Sequence, residues 1–104
     1  MYYIGSTLHP KRSSMATKAE LRNELSKVVS QISSLEKEVQ GYNDRIGRID
    51  RILRDNKEGG KRLTSQRRNE LDNEKNNLAS KASTKATELA ERRRRRDEIK
   101  PLLR

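Results

Sequence analysis

The chain has 104 residues, 30% of them hydrophobic and 38% charged, with a formal net charge of +10. It lacks Cys, Trp and Phe, and Tyr2, Tyr3 and Tyr42 are its only aromatic residues. That composition cannot fill a three-dimensional core at this length, which leaves a disordered chain or long helices that each bury one narrow stripe.

Without Cys there are no disulfides, no thiol chemistry and no cysteine-held metal. A single histidine, His9, and the absence of a Gly-rich phosphate loop supply neither a nucleophile constellation nor a set of metal ligands. The expectation is a chain that is not an enzyme and needs no cofactor or metal. No apolar run resembles a secretory signal or approaches the ~18–20 residues of a membrane span. A cytoplasmic location is expected.

Taken in chain order, residues 1–16 read as a disordered leader, broken by Gly5, Pro10 and serines. Helix 1 is predicted over about 17–57. Thr17 followed by Glu20 has the spacing of a capping box, and Leu21 opens the apolar series. Leu21, Leu25, Val28, Ile32, Leu35, Val39, Tyr42, Ile46, Ile49 and Leu53 then follow at alternating steps of four and three. Leu25, Ile32, Val39, Ile46 and Leu53 are a positions of a heptad, and the other five are d positions. Val29 at e and Ile52 at g widen the stripe, while Gly41 and Gly47 fall on the solvent side.

A turn is expected at 58–62, where Gly59 and Gly60 supply the left-handed backbone that ends a helix. Helix 2 follows over about 63–100 and should close by Ile99 or Lys100, ahead of Pro101. Its seam is poorer: Leu71, Leu78, Ala82 and Leu89 continue a heptad that places Lys75 and Lys85 at core positions, and Ala79, Ala86 and Ala90 are small. The fold class predicted is therefore all-α, an antiparallel coiled-coil hairpin. Helix 2 looks unable to cover ten large seam positions alone, so part of the helix 1 seam is expected to take a second molecule.

Charge is unevenly placed. Residues 21–56 carry +1 and residues 57–104 carry +7, so the second half implies an acidic partner. Arg92, Arg93, Arg94, Arg95 and Arg96 are the densest basic stretch. Five successive residues wrap around a helix, which suits a solvated helix end or a contact with phosphates or an acidic protein, not base readout from one face.

Two stretches resemble known families. Tyr2-Tyr3-Ile4-Gly5-Ser6-Thr7, with Lys11-Arg12 after it, is similar to the YIG half of a GIY-YIG nuclease motif. The preceding GIY strand and the compact α/β domain of that family are missing, so no activity is carried over. Leu25-Ser26-Lys27-Val28-Val29-Ser30-Gln31-Ile32-Ser33-Ser34-Leu35-Glu36, in a hairpin-length chain with a Gly turn near its middle, resembles the small helical partner proteins of type VII secretion, in particular the YwqH-like, LXG-associated group. Its turn lacks the Trp of the WXG type. The resemblance implies a helper that pairs with the helical targeting domain of a secreted toxin and is co-secreted with it.

The function expected is protein association: an adaptor or chaperone-like partner that pairs the ten seam residues of helix 1 with another helical protein. A basic coiled coil gripping nucleic acid through helix 2 is one alternative. A self-assembling structural rod, for instance in a phage particle, is another.

Overall fold

The structure, a computed structural model, describes residues 16–104. The expectations for the leader, His9 and the YIG-like stretch fall almost wholly on residues outside that range.

Helix α1 spans Lys18–Asp55. Thr17 keeps an extended backbone, its hydroxyl accepts from the Glu20 amide at 3.1 Å, and the Glu20 carboxylate accepts from the Thr17 amide at 2.9 Å. This is the capping box read from the sequence, and it satisfies two backbone donors reciprocally. The helix stops at Asn56, which takes the left-handed conformation (φ 56, ψ 31) that Asn tolerates better than most residues.

The reversal is a miniature β-hairpin. Strand β1 (Lys57–Glu58) pairs antiparallel with β2 (Lys61–Arg62), with Lys57 opposite Arg62 and Glu58 opposite Lys61. Gly59 and Gly60 have φ of +58 and +80. Positive φ at both loop residues is type I′ geometry, whose twist matches that of the flanking strands. The Leu63 amide donates to the Asn56 carbonyl at 3.1 Å and extends the ladder.

Helix α2 spans Ser65–Leu102. It starts two residues later than expected because Thr64 is its N-cap, with the hydroxyl accepting from the Arg67 amide at 3.0 Å. The third helical position holds Arg67 and not an acid, so half of the capping-box signature is missing from the sequence. The helix also runs past the expected stop, with Pro101 inside its last turn. There the missing N–H removes one bond at a frayed end, and the fixed φ of Pro is compatible with helix. The Leu103 amide returns to the Lys100 carbonyl at 3.2 Å and closes the end.

The two helices, each about 57 Å long at 1.5 Å per residue, lie antiparallel. Ion pairs give the register: Arg95 meets Glu24, Lys85 meets Glu38, and Lys75 meets Asp50. One core cluster joins Val28, Ile32 and Leu35 to Leu89. A second joins Ile49 to Leu71 and Leu78, flanked by Tyr42, Ile46, Ile52, Leu53 and Leu63. Ile99 is completely buried and Leu71 is 2% exposed. Each such side chain contributes about 1.5–3 kcal/mol by burial. Among the described residues, no helix is long and apolar enough to cross a membrane.

Candidate interaction surfaces

None of the ten α1 seam positions is exposed. Leu21, Val28, Ile32, Leu35 and Ile49 are buried, while Leu25, Val39, Tyr42, Ile46 and Leu53 are half-buried. The open seam expected from helix 2's poor apolar content is therefore largely closed within the single chain.

The covering is done partly by cations. From Leu71 onward the inward positions of α2 run Leu71, Lys75, Leu78, Ala82, Lys85, Leu89, Arg92, Arg96, Ile99, again at steps of four and three, and none of them is exposed. Four of the nine are Lys or Arg. Such side chains lay an aliphatic stem on apolar surface and carry the charge out to the flank. Lys75 ends on Asp50, and Lys85 ends 3.7 Å from Glu38. Arg68, at the turn end, donates to the Leu53 carbonyl at 3.2 Å and to Asn56 Oδ1 at 2.7 Å.

Closure is uneven around α1. Four of the five half-buried residues, Leu25, Val39, Ile46 and Leu53, belong to the a row. The neighbouring e row holds Val29, which at 47% is the only large apolar side chain of α1 that is exposed. On α2, Arg93 faces this edge, since it pairs with Glu36 of the e row at 2.8 Å. Ala86 and Ala79, one and two heptads before Arg93, share its row and are exposed. Along this edge the Glu36–Arg93 bridge separates Val29 from Val39, Ile46 and the alanine row, and toward the turn the e row holds Asn43 and Asp50, the latter paired with Lys75.

The arginine run does not present five free charges. Arg95 grips both oxygens of Glu24 at 2.6 and 2.7 Å and approaches Glu98 at 3.4 Å. Arg93 holds Glu36, and Arg96 pairs with Asp97 at 3.0 Å. Arg92 is half-buried beside Ser30, Gln31, Ser34, Leu35, Glu38 and Glu88. Of the run, Arg94 alone is both exposed and without an ion pair among the described residues. The bidentate bond from Arg95 holds the Glu24 carboxyl below its usual range, and Glu24 in turn raises the arginine.

The same device stands at the other end of the rod. Arg67 donates to both oxygens of Glu58 at 2.8 and 2.9 Å and also reaches Glu70 at 3.2 Å. The Glu58 carboxyl is lowered by that contact. Here, though, the remaining cations are unpaired: Arg45, Arg48, Arg51, Lys57, Lys61 and Arg62 have no acidic partner among the described residues and are exposed. Residues 45–68 hold nine cations and three acids, net +6. Residues 16–27 and 92–104, at the opposite end, hold ten and four, also +6. The waist between them, 28–44 with 69–91, holds four cations and eight acids, net −4. Sequence reasoning missed this banding because each band combines two distant segments that only the hairpin brings together.

Among the described residues no three His, Asp or Glu side chains gather as a metal site. No family model matches the chain, and no match was found among curated proteins or solved structures.

Proposed function

We propose that this chain is a non-catalytic, adaptor-like helical hairpin that binds a helix of another protein along its a/e edge. The observation that carries the reading is the one-sided exposure of the α1 seam. The half-buried residues are concentrated on the a row, beside exposed Val29 and the alanine row of α2. A third helix laid there would cross the Glu36–Arg93 bridge, burying Val29 on one side of it and finishing the cover of Val39 and Ile46 on the other. Ala79 and Ala86 would let its backbone approach closely. The resemblance to type VII secretion partners names one candidate, the helical targeting domain of a secreted toxin, for which this chain would act as a chaperone-like helper.

The test places a photo-crosslinking phenylalanine derivative at position 29 or, as a control, at Lys37, which is exposed on the outer face of α1. Neither position contributes to the buried core, so the hairpin stays intact. One discrete protein adduct is expected from position 29 in the source cells and none from position 37. Adducts between two copies of the chain would support a self-assembling rod instead. No adduct, or equal adducts from both positions, overturns the proposal.

A further inference from the structure

We infer that the turn end of the hairpin is a second contact surface, one that binds the phosphate backbone of nucleic acid without sequence preference. It lies apart from the a/e edge and does not depend on it.

Much of the charge near the turn is already neutralised inside the fold. Each acid of residues 45–68 has a partner: Asp50 holds Lys75, Asp55 lies 3.9 Å from Arg54, and Glu58 is clamped by Arg67. Asp44, just before this stretch, accepts from Gln40 at 2.8 Å. Arg67 and Arg68 are occupied by Glu58, Glu70, Asn56 and the Leu53 carbonyl. Arg45, Arg48, Arg51, Lys57, Lys61 and Arg62 remain.

Their placement works against folding taken alone. Arg45, Arg48, Arg51 and Arg54 stand three residues apart on α1, where like charges repel and weaken a helix. Lys57 and Arg62 face each other across the hairpin. They form its non-hydrogen-bonded pair, with Cα atoms about 4.5 Å apart, where side chains come closest. Like charges directly opposite are destabilising. An acid at one member of each pair would favour the fold; a polyanion lying over them relieves both conflicts at once.

The shape selects among polyanions. Steps of three residues carry the four arginines around about half the helix circumference within about 14 Å of axis, so a flat membrane would meet only some of them. The loop, Gly59-Gly60, has no side chain to insert into lipid, and the strands carry only Lys, Glu and Arg. A nucleic-acid backbone can follow a curved array of cations. With Tyr42 half-buried in the core and no aromatic residue at the turn end, no aromatic platform is available for stacking bases. Attraction to the phosphates is then the main source of affinity.

The experiment uses the full chain and measures anisotropy of a labelled 20-base-pair duplex and a labelled 20-nucleotide strand across a salt series. One variant, R45Q/R48Q/R51Q/K61Q/R62Q, removes five charges at the turn end. A matched variant, K18Q/R22Q/K27Q/R94Q/K100Q, removes five exposed charges at the other end that form no salt bridge among the described residues. Circular dichroism checks that both remain helical. The turn-end variant is expected to weaken duplex binding at least tenfold and to flatten the salt slope by about 0.9 for each phosphate that is no longer neutralised. The matched variant should weaken it less than threefold. Equal losses would mean that only net charge matters, and would overturn the site. So would tighter binding to phosphatidylserine vesicles or to a poly-glutamate peptide than to either oligonucleotide at the same salt. R62E gives an independent readout: placing an acid opposite Lys57 should raise the melting temperature while weakening nucleic-acid binding. A rise in both overturns the inference.

Discussion

Helices α1 and α2 have the same length, 38 residues each, yet contribute to their shared interface in opposite ways. Helix α1 presents an unbroken series of ten apolar or Tyr side chains. Helix α2 answers with Leu71, Leu78, Ala82, Leu89 and Ile99, and fills the levels between them with Lys75, Lys85, Arg92 and Arg96. A helix pair can therefore close with one apolar seam and one mixed seam, in which the stems of long cationic side chains cover apolar surface. Acids of α1 take two of those charges, Asp50 receiving Lys75 and Glu38 receiving Lys85. Glu36 and Glu24 hold Arg93 and Arg95 beside the inward series, and Arg96 turns to Asp97 on its own helix. Cohesion then varies with level: strong where Leu or Ile meets the seam, weak where a stem covers it.

The largest effect expected from this asymmetry is at Ile32, buried between Val28, Leu35 and Leu89. Ile32→Asp buries a carboxylate in an apolar cluster, and the hairpin should lose most of its helicity by circular dichroism at any concentration. Retention of the native spectrum would show that the seam is not the core. Next comes Leu71→Ala, which should cost about 2–5 kcal/mol in urea unfolding, as large-to-small changes do at buried sites. Lys75→Ala, one turn away, should cost clearly less, since it removes only a stem and a half-buried ion pair that water still reaches. Equal losses at 71 and 75 would erase the distinction between leucine levels and cation levels.

The α1 half of this arrangement is legible in the sequence because four-and-three spacing of large apolar residues depends on nothing distant. Thr17 and Glu20 are equally local, three residues apart, and the capping box forms. The α2 half is harder to read. Lys75 and Lys85 look like faults in a heptad until their stems are counted as cover, and Arg92 and Arg96 lie hidden within a run that looks uniform. Which arginines of that run find partners is decided by Glu36 and Glu24, which lie 57 and 71 residues away from Arg93 and Arg95. The turn could be placed from Gly59-Gly60, but strands of two residues are too short to show alternation. The cation cluster at the turn end needs both segments in register before it exists.

The caps offer a finer comparison. Thr17→Ala and Thr64→Ala should each cost about 1 kcal/mol in urea unfolding, the usual effect of removing an N-cap side chain. Glu20→Ala should add a loss in α1. At the equivalent position of α2, Arg67 serves Glu58 instead of the cap, so Arg67→Ala should loosen the turn and leave the first turn of α2 capped. Amide hydrogen exchange at Arg67 and at Glu58 separates these outcomes, because only loss of the cap exposes the first of them.

The smallest effect, and the one that compares the two ends of the rod, is with pH. Glu24 and Glu58 have carboxyl groups lowered from the usual 4.5 by their arginines. A carboxylate whose folded pKa is depressed adds stability above the unfolded value and loses it as pH falls through the folded one. The hairpin should therefore melt at progressively lower temperature as pH drops below about 4.5. Both pairs are only half-buried and within reach of solvent, so salt should shrink the effect. Growing self-repulsion of an already basic chain lowers the melting temperature in the same direction, and the two causes separate by substitution. Glu24→Gln and Glu58→Gln each remove one titration and leave the rest of the charge responsive to acid. If each flattens part of the acid limb of the melting curve, the clamps contribute at both ends of the rod. If neither does, repulsion alone drives the acid response and the two arginine clamps matter only for geometry.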